Sequence, residues 1–175
     1  MDLSQWNIDT AHSGINFSVR HMVISKVRGR FAKWSGSVNL ADDLAKASVA
    51  VSIDAASIDT GVPDRDAHLR SGDFLDAEKY PALLFRSRKI ERQGDKVSRV
   101  VGDLTIRDVT REVTLDVEEG GRAKDPWGNE RIGLCARTSL DRKEFGLKWN
   151  QVLEAGGLLI GDRVDVDIEI EAVKK

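Results

Sequence analysis

The sequence has little of what most readily named functions require. One cysteine, Cys135, stands among 175 residues, so an internal disulfide is excluded and a buried or half-buried strand residue is expected there. Lys+Arg 27 against Asp+Glu 29 gives a formal net charge of −2. That balance offers no basic excess for a nucleic acid and no Lys/Arg run for an anionic membrane. No stretch approaches the roughly 18 apolar residues of a membrane span. The three histidines, His12, His21 and His68, carry no metal-ligand spacing, so no metal is expected. No Gly-x-Ser-x-Gly elbow, P-loop, Gly-x-Gly-x-x-Gly or His-Glu-x-x-His occurs, which argues against an enzyme and against a cofactor. The first residues, Met1 to Trp6, have neither the basic nor the apolar region of a signal peptide. As it stands the sequence reads as cytoplasmic, or as periplasmic if an export signal was removed. Its 41% hydrophobic and 32% charged residues suit one globular domain over residues 1–175.

What the chain does have is alternation. Ile15, Phe17, Val19 and His21 share one face of a strand, with Asn16, Ser18 and Arg20 on the other. Val27 and Phe31 are apolar on odd numbers, whereas Trp34, Val38 and Leu40 are apolar on even ones. A phase slip in a continuous strand implies a bulge or bend, which Gly29 and Gly36 would host. Further strands are expected from Ala47 towards Ile58 and from Leu83 to Ile90. After a turn at Gln93-Gly94-Asp95, another runs through Val100, Gly102, Leu104 and Ile106. A tight turn is expected at Asp108-Val109-Thr110-Arg111, then a strand with Val113, Leu115 and Val117. Residues 118–131 read as a long polar loop carrying Trp127. Ile132, Leu134, Ala136 and Thr138 begin another strand, and Ala155-Gly156-Gly157 reads as flexible. Val164, Val166, Ile168 and Ile170 alternate with an acidic face that should meet water or basic neighbours such as Arg86 and Arg88. About eight strands without a βαβ pattern give an antiparallel barrel or sandwich.

The exception is residues 62–81. Pro63 suits a first helical turn, Asp64 complements its dipole, and Gly72 suits its end. Asp73 would cap a second short turn that Pro81 ends. Two helical pieces inserted between strands would cover one mouth of the barrel. Asp66 with Arg70, and Asp64 with His68, have the spacing to pair on one helix face. No nucleophile stands with His68 and Asp66, so a catalytic dyad is disfavoured.

Together these residues resemble the YceI family of lipid-binding proteins. The likeness runs through Asp9-Thr10-Ala11-His12-Ser13, the strand to His21, Gly29-x-Phe31 and Ser57-Ile58-Asp59-Thr60. It continues with Arg65-Asp66-x-His68-Leu69, Asp73-Phe74, Tyr80-Pro81, Phe85-x-Ser87, Gly102 to Ile106 and Arg142-x-x-x-Phe145-Gly146. The resemblance implies an all-β, extended, antiparallel eight-stranded lipocalin-like barrel with the helical insert at 62–81. It also implies a polyisoprenoid, isoprenoid quinone or fatty amide in the lumen, and a homodimer. On that footing Phe17, Val19, Phe31, Trp34 and Phe85 are expected to line the tail's path. Leu104, Ile106, Leu134 and Trp149 would line it with them. His21, Arg65 and His68 would meet a polar head at the mouth. Leu69 and Phe74 would plug the insert onto the barrel, with Gly61 and Gly72 as hinges. The rival readings are an enzyme acting on a lipid or quinone through His68 with Asp66 or His12, and a structural barrel filled by its own side chains.

Overall fold

Where apolar and polar residues alternate, the backbone is extended, because only that geometry sends successive side chains to opposite faces. The computed structural model describes residues 4–41, 46–154 and 156–175. Eleven strands and one helix follow in chain order. They are β1 (Ser4–Ile8), β2 (Gly14–His21), β3 (Ser25–Phe31), β4 (Trp34–Leu40), β5 (Ser48–Asp54) and β6 (Ile58–Asp59). After α1 (Pro63–Arg70) come β7 (Ala82–Gln93), β8 (Lys96–Ile106), β9 (Val109–Lys124), β10 (Glu130–Asp141) and β11 (Ile160–Lys174).

Every pairing is antiparallel. The order β1-β4-β5-β7-β8-β9-β10-β11 returns to β1, closing a ring of eight strands. Beyond that ring β2, β3 and β6 continue from β11. β11 carries both: Ala172 to Lys174 pair with Ile8 to Trp6, and Ile160 to Glu169 pair with His21 to Gly14. Each of the first three walls is therefore one long strand broken midway, as β1/β2, β3/β4 and β5/β6. The result is an eight-stranded antiparallel barrel with one short helix. It closes fully in the tier that holds β1, β4 and β5. In the other tier β6 has no ladder to β7, and the insert with α1 lies between them in the chain.

The expected bulge in β3/β4 falls elsewhere. Gly29 and Gly36 sit inside regular pairings, opposite Phe17 and Val51. The phase changes at Ala32 and Lys33, where Ala32 N–H donates to Ser57 and the Lys33 carbonyl accepts from Asp54. The glycines serve close approach instead. A Cβ on Gly29 would lie 2.4 Å from Phe17 Cζ, and one on Gly102 would lie 2.5 Å from the Arg86 carbonyl and 2.6 Å from Phe85 Cζ.

Other expectations need correction. Residues 118–131 are not a loop: β9 runs to Lys124 and β10 starts at Glu130. Both faces of this hairpin are exposed from Gly120 to Lys124, so nothing selects for alternation there. The β8–β9 turn is Arg107-Asp108, with Arg107 at φ 57°, not Asp108 to Arg111. The second helical piece of the insert is a run of turns, and the left-handed residue there is Asp76 rather than Gly72. Asp66 bonds Thr60 just before the helix rather than Arg70, and His68 bonds Asp73 just after it rather than Asp64, because the chain folds back on the helix at both ends. The acidic face of β11 meets Arg137, Arg163 and Arg131 rather than Arg86 and Arg88, which lie on a wall it does not touch. Of Ala155-Gly156-Gly157, Ala155 lies outside the described residues, as do Met1 to Leu3. The two glycines form a tight turn at positive φ.

One core cluster centres on Ile15, Ile53, Phe85, Val100 and Phe145. A second, of Trp6, Val38, Ile132 and Ala172, closes the far end. Trp6 is only 2% exposed there.

Candidate functional site

The inward faces of the eight walls do not fill the barrel. They enclose a cavity of about 420 Å³, within the roughly 300–1,000 Å³ of ordinary ligand pockets. The lining includes Ile15, Phe17 and Val19 on β2, Leu104 and Ile106 on β8, and Val164, Val166, Ile168 and Ile170 on β11. The apolar set of each strand faces the lumen as the sequence reading has it, although the polar alternates Asn16 and Arg20 of β2 border the cavity too. Phe31, Trp34, Phe85, Leu134 and Trp149 also line the cavity. So do His21, Arg65, His68, Leu69 and Phe74. The structure thus brings all fourteen expected residues to one lumen, mostly through side-chain direction alone.

The polar residues gather where β2, β10 and the insert end. His68 Nε2–H donates to the Asp73 carboxylate at 2.8 Å, and its ring meets Phe74 and Trp149 edge-on at 5.1 and 4.6 Å. Phe74 and Trp149 are themselves 5.5 Å apart, so insert and β10–β11 connection lock through three rings. Arg65 donates to the Thr60 hydroxyl at 2.7 Å and carbonyl at 2.9 Å. Buried Asp66 accepts from Thr60 N–H at 2.8 Å and from its hydroxyl at 2.5 Å. Asp66 is thereby committed to holding the insert. His12 pairs with Asp9 at the β1/β2 break, exposed. Of the partners the enzyme reading offers His68, Asp66 is bonded to Thr60 and His12 to Asp9, while His68 itself pairs with Asp73.

Three polar lining residues were missed. The sequence reading puts Asn16 and Arg20 on the outer face, yet both line the cavity, Arg20 at the strand's end beside Gly161. Arg142 is 4% exposed and lines the cavity. Its guanidinium donates to the carbonyls of Gly161 at 2.9 Å, Leu147 at 2.7 Å and Trp149 at 2.9 Å. Burial pushes its proton affinity down, while Asp162 and Asp141 oppose that shift. No spacing in the sequence marks these residues as lining.

Among the described residues, Asp9, His12 and Glu171 could converge on a cation, with ligand atoms within 4.8 Å of one another. Arg131 already occupies that place, donating from Nη1 to Asp9 at 2.9 Å and to Glu171 at 2.7 Å. The bonds from His12 and Arg131 hold the Asp9 carboxyl below its usual range. A guanidinium bound to the same oxygens makes this an ion-pair network rather than a metal centre.

Known proteins share this architecture. The YceI-like domain matches residues 6–172. A UPF0312 protein of Vibrio cholerae is 37% identical over 171 residues, which cover 96% of this chain and 86% of that protein. A YceI protein of Campylobacter jejuni superposes with a TM-score of 0.76 at 32% identity, covering 89% of this chain and 90% of that one. A polyisoprenoid binding domain from Saccharophagus degradans, implicated in plant cell wall breakdown, has the same fold. Its TM-score is 0.70 at 17% identity, over 99% of this chain and 100% of that one. The match along almost the whole barrel, with these identities, places the chain in the YceI-like family.

Proposed function

We propose that the protein holds a long-chain amphiphile in its lumen, a polyisoprenoid, isoprenoid quinone or fatty amide, and stores or carries it without catalysing a reaction on it. The observation that carries this reading is the cavity of about 420 Å³ lined almost wholly by apolar side chains from all eight walls. The polyisoprenoid binding domain that shares the fold supports it. Each buried CH₂ contributes roughly 0.8 kcal/mol, so a long tail supplies ample driving force before ordering costs. The head would rest among Arg20, His21, Arg65 and His68, where donors reach the lumen's end. No metal or cofactor enters this reading. The homodimer implied by the family resemblance belongs to it as a further proposal, tested by sedimentation.

The test is organic extraction of the purified protein followed by mass spectrometry, with titration of a fluorescent isoprenoid analogue. A lipid near one per chain, or saturable uptake at that ratio, is expected. An empty extract together with no uptake would return the barrel to a structural role. Turnover of an added lipid or quinone, lost on changing His68, would instead establish an enzyme.

A further inference from the structure

The connection between β2 and β3 exposes three consecutive aliphatic residues. Val23 is 67% and Ile24 83% exposed, and Met22 is exposed with them. Across a hydrogen bond from Met22 N–H to the Leu159 carbonyl, the 150–159 connection adds exposed Val152 and Leu158, which bridge each other. This rim borders the lumen, since His21, Leu159 and Ile160 beside it line the cavity.

Two costs are built into the tip. Met22 and Val23 both adopt left-handed backbone, at φ 53° and 65°. For a β-branched residue that conformation is strained, and Val23 recovers little of it by packing at such exposure. Just behind the tip Arg20 and Lys26 stand directly opposite each other across the β2–β3 ladder. Like charges at such a pair repel. Among the described residues Arg20 forms no ion pair, and Lys26 faces the Asp165 carboxylate, which is already held by Arg163 and Ser139. The cations come from separate strands, so the sequence shows no basic run.

We propose that this rim docks on an anionic lipid bilayer, with Met22, Val23 and Ile24 inserted at the headgroup boundary and Arg20 and Lys26 among the headgroups. The inference rests on the lumen's holding a lipid, and it supplies the surface from which that lipid is taken or to which it is returned. An aliphatic tip flanked by cations matches the interface between acyl chains and anionic headgroups. A narrow protruding tip also inserts into a soft phase more readily than it builds the roughly 800 Å² per partner of a stable protein interface.

The test is cosedimentation with vesicles of equal parts phosphatidylcholine and phosphatidylglycerol, beside vesicles of phosphatidylcholine alone. The key variant is Val23→Asn with Ile24→Asn. Asparagine tolerates left-handed backbone, so the variant should fold at least as well as the parent. Wild type is expected to bind the anionic vesicles, and the double variant to bind about tenfold or more weakly. Lys26→Gln should lose about fivefold on anionic vesicles and nothing on neutral ones. Titration of a fluorescent isoprenoid analogue in vesicle-free solution separates the two readings, because neither Val23 nor Ile24 lines the cavity. Loading without vesicle binding overturns the docking and leaves the lipid reading standing. Vesicle binding without loading does the reverse. Equal vesicle binding by the double variant overturns the docking. So does a dimer that the double variant dissolves while wild type ignores vesicles, which would make a second copy the occupant.

Discussion

Gly102 on β8 lets the barrel keep both its backbone spacing and its lumen, and replacing it with alanine separates those two roles. The new Cβ would lie 2.5 Å from the Arg86 carbonyl and 2.6 Å from Phe85 Cζ. Real Cβ contacts do not come so close, so something must move. The carbonyl belongs to the ladder between β7 and β8, where Gly102 pairs with Ser87. It therefore cannot turn away without breaking pairing, and the buried Phe85 ring has no free direction except the lumen. Overpacking of this kind costs about 1–3 kcal/mol. In a chain of this size that corresponds to a fall in Tm of about 2–12 °C. Gly29→Ala is the internal control. Its nearest neighbours are ring atoms of half-buried Phe17 alone, at 2.4 and 2.9 Å. That ring can swing inward while the strand stays put, and the alanine recovers about 0.4–1 kcal/mol by restricting the unfolded chain. Gly29→Ala should therefore keep most of its stability but lose lumen, and Gly102→Ala should lose both. Thermal unfolding beside titration of a fluorescent isoprenoid analogue measures the pair. A Gly102→Ala protein as stable as wild type, or Gly29→Ala the less stable of the two, would refute this reasoning.

Three other outcomes are expected. Arg142→Met should cost about 3 kcal/mol, because it strands the buried Leu147 carbonyl and the part-buried carbonyls of Gly161 and Trp149, and limited proteolysis should cut the 142–160 connection first. Phe74→Ala should cost about 3–5 kcal/mol in unfolding measurements, whereas Leu69→Val should leave the barrel folded and speed stopped-flow exchange of the analogue. Asp125 should make the fold sensitive to acid: burial pulls its carboxyl upward, but bonds from Asn129, Arg131 and Trp127 outweigh that and hold it at about 2. A lowered folded-state pKa gives stability that is complete above the unfolded value near 3.9 and drains away as pH falls through about 2. Asp125→Asn should flatten the unfolding profile in that window, and an unchanged profile would show that another carboxylate dominates.

Period-two alternation made the walls legible, and with them most of the lumen. Phe17, Leu104 and Leu134 needed only a strand and a side. The sequence was mute where that signal is absent. The hairpin from Glu118 to Arg131 is solvated on both faces at its outer end, so no alternation marks its strands. The break at Ala32 and Lys33 is set by partners on another wall, Asp54 and Ser57, which no local pattern names. Asp66 is a helix residue whose bond to Thr60 defeats the pairing its helix spacing suggests. Arg20 and Arg142 reach the lumen because strands end and turn there, and alternation does not extend past an end.

The tier closed by β1, β4 and β5 is a ring of backbone hydrogen bonds. Its girth is fixed by eight strand spacings of about 4.8 Å, whatever the side chains. Past the Asp54–Ala82 pair the circuit is interrupted, and the insert follows there, its His68 and Phe74 rings packed against Trp149 of the 142–160 connection. A vessel built this way has a calibrated base and an adjustable neck. A guest would be gauged by the cross-section of its tail in the one and indulged in the bulk of its head by the other. Descendants of one such barrel could then change guests by rewriting a few residues of the collar, leaving the staves alone.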